Sequence, residues 1–234
     1  MLIKDFVKTT FIDYPDKVAS LVFTGGCNFR CPYCHNRDLV LKSKEYPSLM
    51  PDVVFNHLKK RKGMIDGLVI TGGEPTLIKG LKPFIHQVKD MGVKVKLDTN
   101  GTHPEVVYDL LHNDLLDYVA MDIKHAPSQY HKAIGLSSFE LHHVNQTIQL
   151  LMESQIDYEF RTTVAKGLHD QEDLLEIGQW IDGARNYYLQ QYVKNPHELM
   201  YNVFTSYTKL ELEAFQDFIS TQTDIGQIAV RAKY

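Results

Sequence analysis

Residues 17–36 read KVASLVFTGGCNFRCPYCHN. Lys17 to Thr24 is β-rich and apolar, which predicts a buried strand, and Gly25-Gly26 ends it. The same grammar recurs along the chain. Gly67 to Thr71 is a second strand that runs into Gly72-Gly73-Glu74-Pro75-Thr76. Val93 to Leu97, a third, alternates apolar residues with lysine as a half-buried strand would, and ends at Asp98-Thr99-Asn100-Gly101. Asp117 to Ile123, Asp157 to Val164 and Asn186 to Val193 supply the fourth to sixth strands.

Helical periodicity fills the gaps. Pro51 opens a helix carrying Val54, Phe55 and Leu58, which closes near Gly63. Ile78, Leu81, Ile85, Val88 and Met91 fall at helical spacing before Gly92. Further helices start near Pro104 and Ser138, the latter with Leu141, Val144, Ile148 and Leu151 inward and His142-His143 on its surface. Asp170 caps another, and Thr208 with Glu211 forms a capping box that opens the last. Ile225 to Arg231 reads as a final strand. The residues before Pro15 show no clear pattern, and residues 36–50 read as polar and irregular. Strands alternating with helices predict an α/β fold of parallel βαβ units. No repeat and no linker divides the sequence, so residues 1–234 read as one domain, with a core over about 17–195 and a C-terminal helix and strand in 196–234.

Bulk properties exclude several function classes. Net charge is -4, from 25 basic and 29 acidic residues, too mild for nucleic acid or an anionic membrane as the main partner. The opening MLIKDFVKTT lacks the apolar segment of a signal peptide, and no apolar run approaches the roughly 18 residues that span a bilayer. An odd, clustered set of thiols without a secretion signal predicts a cytoplasmic protein.

All three cysteines, Cys27, Cys31 and Cys34, sit in one loop, spaced C-x3-C-x2-C. Three thiolates suit a [4Fe–4S] cluster with one iron left open for a further ligand. A zinc site completed by His35 is the alternative, which would make the chain a non-enzymatic interaction module. In parallel α/β folds, working residues come from loops after the strands. Gly72, Gly73, Glu74, Asp98, Asp122 and Lys124 occupy such positions, and Arg161 lies within the fifth strand. Taken singly, each also has a plain reading as turn, cap or ion pair. The tyrosines at 187, 188, 192, 201 and 207 read as core or interface residues.

The cysteine spacing, with Tyr33 before the third cysteine, resembles the radical S-adenosylmethionine (radical SAM) superfamily, and Gly72-Gly73-Glu74-Pro75 resembles its second motif. FIDYPDKVASLVFTGGCNFRCPYCHN, VITGGEPT, LDTNG, MDIK and FRTTV together resemble activating proteins of anaerobic ribonucleoside-triphosphate reductase, and also pyruvate formate-lyase activases, over about residues 8–195. The resemblance implies a partial (β/α)6 TIM barrel. It implies a [4Fe–4S] cluster on Cys27, Cys31 and Cys34 that reduces S-adenosyl-L-methionine to a 5′-deoxyadenosyl radical, which takes hydrogen from a glycine of a partner enzyme. That partner would be a glycyl-radical enzyme such as anaerobic ribonucleotide reductase, and the electron donor a flavodoxin or ferredoxin.

The resemblance also implies site residues. Gly72, Gly73, Glu74 and Asp98 would meet the methionine amino group, and Asp122 and Lys124 the methionyl or ribose end. Arg161 would meet the carboxylate. Tyr33 and His35 would cradle the adenine through backbone atoms, with Val164 lining its pocket. Two departures stand out. Related activases often carry a histidine after the sixth strand, where this chain has Gln190-Gln191-Tyr192-Val193-Lys194, leaving Gln191 or Lys194 in its place. Many relatives read Asp-Tyr-Pro-Gly where this chain has Asp16. A radical SAM enzyme acting on a small molecule, such as a modified-purine precursor, is the alternative activity.

Overall fold

A computed structural model describes residues 1–232, which fold as two compact units. The first comprises Met1–Asn28, Asp38–Ala120 and Gln155–Asp157; the second comprises Phe29–Arg37, Met121–Ser154 and the chain from Tyr158 onward.

In the first unit, β1 (Ile3–Thr10) pairs antiparallel with β2 (Ala19–Thr24). β2 then pairs in parallel with β3 (Gly67–Gly72), and β3 with β4 (Lys94–Thr99). The register sets Thr24 opposite Gly72 and Leu97 opposite Ile70. The three parallel strands therefore finish along one edge, and the chain leaves that edge as Gly25-Gly26-Cys27, Gly73-Glu74 and Asn100-Gly101. β5 (Tyr118–Asp122) starts beside β4, where the Asp117 amide donates to the Val95 carbonyl at 2.9 Å. Tyr14, Ala19, Leu21, Val69, Tyr118 and Ala120 pack as one cluster over this sheet.

The helices of this unit follow their apolar spacing. α1 (Arg37–Leu41) is one short turn. α2 (Pro51–Lys60) has proline at its start and buries Val54, Phe55 and Leu58. α3 (Leu81–Lys89) follows β3 and α4 (Pro104–His112) follows β4 in the chain, burying Ile85 and Val88, and Val107 and Leu110.

In the second unit, β6 (Asp157–Lys166, from Tyr158) pairs in parallel with β7 (Asn186–Gln191), and β7 with β9 (Gln227–Arg231). The short β8 (Thr205–Ser206) runs antiparallel to β6. α5 (Tyr130–Ile134) and α6 (His142–Glu153) lie between β5 and β6 in sequence. α7 (Gln171–Trp180) and α8 (Lys209–Ser220) each begin with a complete capping box, from Asp170 with Asp173 and from Thr208 with Glu211. Such a box satisfies two amides that the helix itself cannot.

Four differences from the sequence expectation have physical causes. β1 is an edge strand that buries only Ile3 and Thr10 of its eight residues, so it shows no apolar face to read. Residues 36–50 are less irregular than their polarity suggests: they contain α1, and the Leu49 amide is tied to the Ile3 carbonyl. The helix expected from Ile78 starts at Leu81, because Pro75–Leu77 first form a 3-10 turn and Gly80 adopts φ 84° as the cap. Lys96 does not face solvent as strand alternation suggested; it is 2% exposed. No helix among the described residues is long and apolar enough to cross a membrane.

Candidate active site

The first unit joins three of the stretches singled out from sequence. The Gly73 amide donates to the Thr24 carbonyl at 3.0 Å, and the Glu74 amide to the Gly26 carbonyl at 2.8 Å. The turn after β3 is thereby fastened to the residue before Cys27. A Cβ built on Gly73 would lie 1.8 Å from that Gly26 oxygen, so only glycine permits the approach. The Glu74 side chain is 1% exposed. Its Oε1 accepts from the Thr76 amide, the Thr76 hydroxyl and the Thr99 hydroxyl at 3.1, 2.6 and 2.7 Å, and its Oε2 accepts from the Asn100 amide at 2.7 Å. Burial pushes its carboxyl pKa up and the hydrogen bonds only partly offset this. Asn100 in turn donates from Nδ2 to Asn28 Oδ1 at 2.9 Å and lies 4.0 Å from Cys27 Sγ. Asp98 accepts from Lys96 Nζ at 2.6 Å. Two residues apart on β4, they share one face.

The second unit holds the rest of the cysteine loop. The Cys34 amide turns back to the Cys31 carbonyl at 3.0 Å, and the Met200 amide donates to the Pro32 carbonyl at 2.9 Å. All three cysteines are reduced, and Cys31 is buried. Burial raises the Cys34 thiol pKa. His35 Nε2 lies 3.6 Å from Oε1 of the buried Glu198, whose carboxylate also accepts from the Tyr192 hydroxyl at 2.8 and 2.7 Å. The Tyr33 hydroxyl is buried with no hydrogen-bond partner among the described residues.

The end of β5 meets β6 in a charge cluster. Asp122 Oδ1 accepts from Arg161 Nε at 2.5 Å, and its Oδ2 from Lys124 Nζ at 2.8 Å. Burial alone would raise the Asp122 pKa; the two cations outweigh it and hold the carboxyl well below the usual range. Burial would likewise lower the Lys124 pKa, but Asp122 leads the neighbours that keep it well above its ordinary value. The trio is therefore fully ionised at neutral pH. Val164 is buried in β6, with its carbonyl accepting from the Tyr192 amide at 3.1 Å.

The profile of the Radical SAM superfamily matches residues 21–181. A Methanocaldococcus jannaschii protein, provisionally designated a glycyl-radical enzyme activating enzyme, is 35% identical over 195 residues, which span 82% of this chain and 80% of the relative. The chain belongs to the radical SAM superfamily. A pyruvate formate-lyase-activating enzyme from Staphylococcus aureus is 28% identical over 71% of this chain and 70% of its own. Among solved structures, Streptococcus suis SuiB bound to S-adenosylmethionine matches 92% of this chain with a TM-score of 0.67 at 12% identity. TYW1 with a lysine-pyruvate adduct matches 88% of this chain and 74% of its own with a TM-score of 0.61 at 16% identity. The chain spans about half the length of SuiB. The fold is thus the partial (β/α)6 barrel of radical SAM enzymes, within the α/β class.

This radical SAM enzyme uses the superfamily's cofactors, a [4Fe–4S] cluster and S-adenosylmethionine. Among the described residues, no three cysteine, histidine, aspartate or glutamate side chains are gathered at metal-binding spacing. The donor set nevertheless suits the cluster: three reduced thiols in one loop and a glycine turn packed on that loop's entrance. The zinc alternative gives way to the superfamily's cluster, and His35 Nε2 lies beside Glu198. Neither candidate for the strand-six histidine stands alone: Gln191 Nε2 donates to the Tyr207 carbonyl at 2.7 Å, and Lys194 pairs with Asn202 and the Tyr201 ring.

Several residues that support the candidate site residues escaped the sequence reading. Lys96 could have been found, because it lies two positions from Asp98 on a strand and so shares its face. Asn28 and Thr102 carried no signal, yet Asn28 Nδ2 donates to the Thr102 hydroxyl at 2.9 Å and helps seat Asn100. His125 and His169 have a structural place in the second unit. They are buried and stacked at 4.6 Å between ring centroids. His169 Nδ1 accepts from the Ala165 amide at 3.2 Å, so its proton is on Nε2, which donates to the Lys124 carbonyl at 2.9 Å. Burial, reinforced by His125, lowers the His169 pKa to about 3, and the ring is neutral.

Proposed function

We propose that this radical SAM enzyme installs a glycyl radical on a partner protein, and that the partner is an anaerobic ribonucleoside-triphosphate reductase. The observation that carries the reading is the hydrogen-bonded line from the Gly72-Gly73-Glu74 turn through Asn100 toward Cys27. It couples the strand ends that the resemblance assigns to the methionine amino group to one of the three cysteines it assigns to the cluster. The activating enzymes among the relatives, and the absence of cysteines beyond these three for an auxiliary cluster, support the same reading.

Cys27, Cys31 and Cys34 would hold the cluster. With an electron from a flavodoxin or ferredoxin, the cluster and S-adenosylmethionine supply homolytic cleavage of a carbon–sulfur bond, yielding methionine and an alkyl radical able to take a hydrogen atom. The chain's own residues bind and orient. The backbone of Gly72 and Gly73 would receive the amino group, with Asp98 beside it. Glu74 works from behind, because its carboxylate is already committed to Thr76, Thr99 and Asn100. Arg161, charged and aimed by Asp122, would take the carboxylate, and Asp122 with Lys124 would border the ribose. Tyr33, His35 and Val164 would enclose the adenine. Such chemistry belongs in a reducing cytoplasm.

The test is anaerobic reconstitution with iron and sulfide, reduction, and incubation with S-adenosylmethionine and a candidate reductase. A glycyl radical on the reductase, recorded by electron paramagnetic resonance, is expected, with about four irons per chain. Cofactor cleavage with no radical on any glycyl-radical protein, but with turnover of a small molecule, overturns the activase reading. The Cys31→Ser protein should fold and fail to cleave the cofactor; full cleavage by it sinks the cluster assignment.

A further inference from the structure

The C-terminal strand ends in a contact that reaches back to the cofactor-facing residues of the second unit. Glu159 and Arg161, two apart on β6, share one face. The Glu159 side chain is 1% exposed, and a carboxylate that deeply buried needs a cation beside it. Arg231, the last residue of β9, supplies one in a two-pronged grip, Nη1 on Oε1 and Nη2 on Oε2, both at 2.7 Å. The Arg231 guanidinium itself lies over the Tyr188 ring, 3.5 Å from the centroid. Tyr188 is in register with Arg161 on one side and with Ala229 on the other.

Arg161 also lies near Glu159, with Nη1 3.9 Å from Oε1, yet it gives its Nε to Asp122 at 2.5 Å. Glu159, gripped at both oxygens by Arg231, is thus met by Arg161 only at ion-pair distance, while Asp122 takes its hydrogen bond. We infer that Arg231 is a positioning residue: by occupying both oxygens of Glu159 it keeps Arg161 turned toward Asp122, in the pose that receives the carboxylate of S-adenosylmethionine. This rests on the role given to Arg161 under the proposed function. It gives the C-terminal strand a purpose in cofactor binding. Without Arg231, the buried Glu159 carboxylate draws Arg161 toward itself and the cofactor carboxylate loses its partner.

The experiment measures S-adenosylmethionine affinity by equilibrium dialysis on reconstituted enzyme, with no partner protein present. Thermal melting of the same proteins before reconstitution checks the fold. Arg161→Gln and Arg231→Met should each weaken binding by about tenfold or more, the signature of a lost charge-assisted contact. Arg231→Lys should lie between them and wild type, since lysine keeps the charge but not the fork. Glu159→Gln should bind nearly as wild type. The decisive protein is Glu159→Gln with Arg231→Met: a neutral amide no longer pulls on Arg161, so affinity should return to within about threefold of wild type. If Arg231→Met binds normally while Arg161→Gln is weak, the inference fails and the role of Arg161 stands. A double variant as weak as Arg231→Met alone, with a normal melt, also overturns it. An Arg161→Gln protein that binds like wild type removes the underlying reading and this inference with it.

Discussion

Replacing Gly73 by alanine tests how tightly the glycine turn is joined to the cysteine loop. An added Cβ would sit 1.8 Å from the Gly26 oxygen and 2.6 Å from its carbonyl carbon, and both atoms are backbone. No side-chain rotation relieves that clash, so the two segments must part. Parting them strains or breaks the Glu74 amide bond to Gly26 at 2.8 Å and the Gly73 amide bond to Thr24 at 3.0 Å. Two net hydrogen bonds are worth about 2 kcal/mol together. Forcing extra volume into a packed site adds about 1–3 kcal/mol. The expected loss is about 3–5 kcal/mol, which for a chain of this size lowers Tm by roughly 10 °C. Gly63 is the control: its φ is 80°, but an added Cβ would meet nothing within 4 Å. Gly63→Ala should cost only about 1–2 kcal/mol, the left-handed penalty. Anaerobic thermal melts of the apo-protein and iron content after reconstitution read both effects. Gly73→Ala should melt far lower and load less iron; Gly63→Ala should load fully. A Gly73→Ala protein that melts with wild type and fills its cluster would refute the coupling of the turn to the loop.

Three further outcomes follow from particular residues. His169 has a folded pKa near 3 against 6.5 ordinarily, so the unfolded chain binds the extra proton first, and stability should fall as pH drops below 6.5. At pH 5 the loss is about 2 kcal/mol in urea unfolding, and His169→Gln should flatten that part of the profile; an unchanged slope would count against the neutral ring. Asp16 holds φ 55°, in the left-handed region, so Asp16→Gly should raise Tm by about 2–4 °C, relief of strain exceeding glycine's entropy cost by about 1 kcal/mol. A lower Tm would show the strain to be negligible. Glu74→Gln turns an amide NH2 toward the Asn100 N–H or the three donors on Oε1, and should cost about 2–3 kcal/mol in chemical denaturation; a loss under about 0.5 kcal/mol would mean that the four bonds are not all made.

The strands, helix caps and cysteine loop were legible because each follows from local chemistry. Lys17–Thr24 is too apolar to be anything but buried, and Thr208 with Glu211 can satisfy two helix amides only at a helix start. What escaped was set by partners far away in sequence. β1 is specified by pairing with β2 and not by a face of its own. Lys96 looked like a solvent residue because lysine usually is; the signal against it was the shared face with Asp98. The Arg231 grip on Glu159 joins residues 72 apart, and nothing near either one announces it. The same holds for His125 and His169, which meet only because the loops after β5 and β6 converge.

The buried charges of this chain have a common logic. Lys96 and Asp98 pair in the first unit; Lys124, Asp122, Arg161, Glu159 and Arg231 alternate in sign across the second. Buried ion pairs seldom stabilise a fold more than apolar residues of the same volume, so stability does not account for keeping them. Under the proposed function, a ligand carrying a carboxylate would account for the second-unit set. It needs opposite charges held at fixed positions before it arrives, because a charge that reorganises on binding forfeits part of the affinity it supplies. Pairing each charge with an ionised neighbour keeps it charged despite burial, as the depressed Asp122 and raised Lys124 pKa values indicate. The second-unit chain, taken alone, carries three cations against two anions. The excess positive charge is what a carboxylate would meet, and Arg161 is the member at its centre.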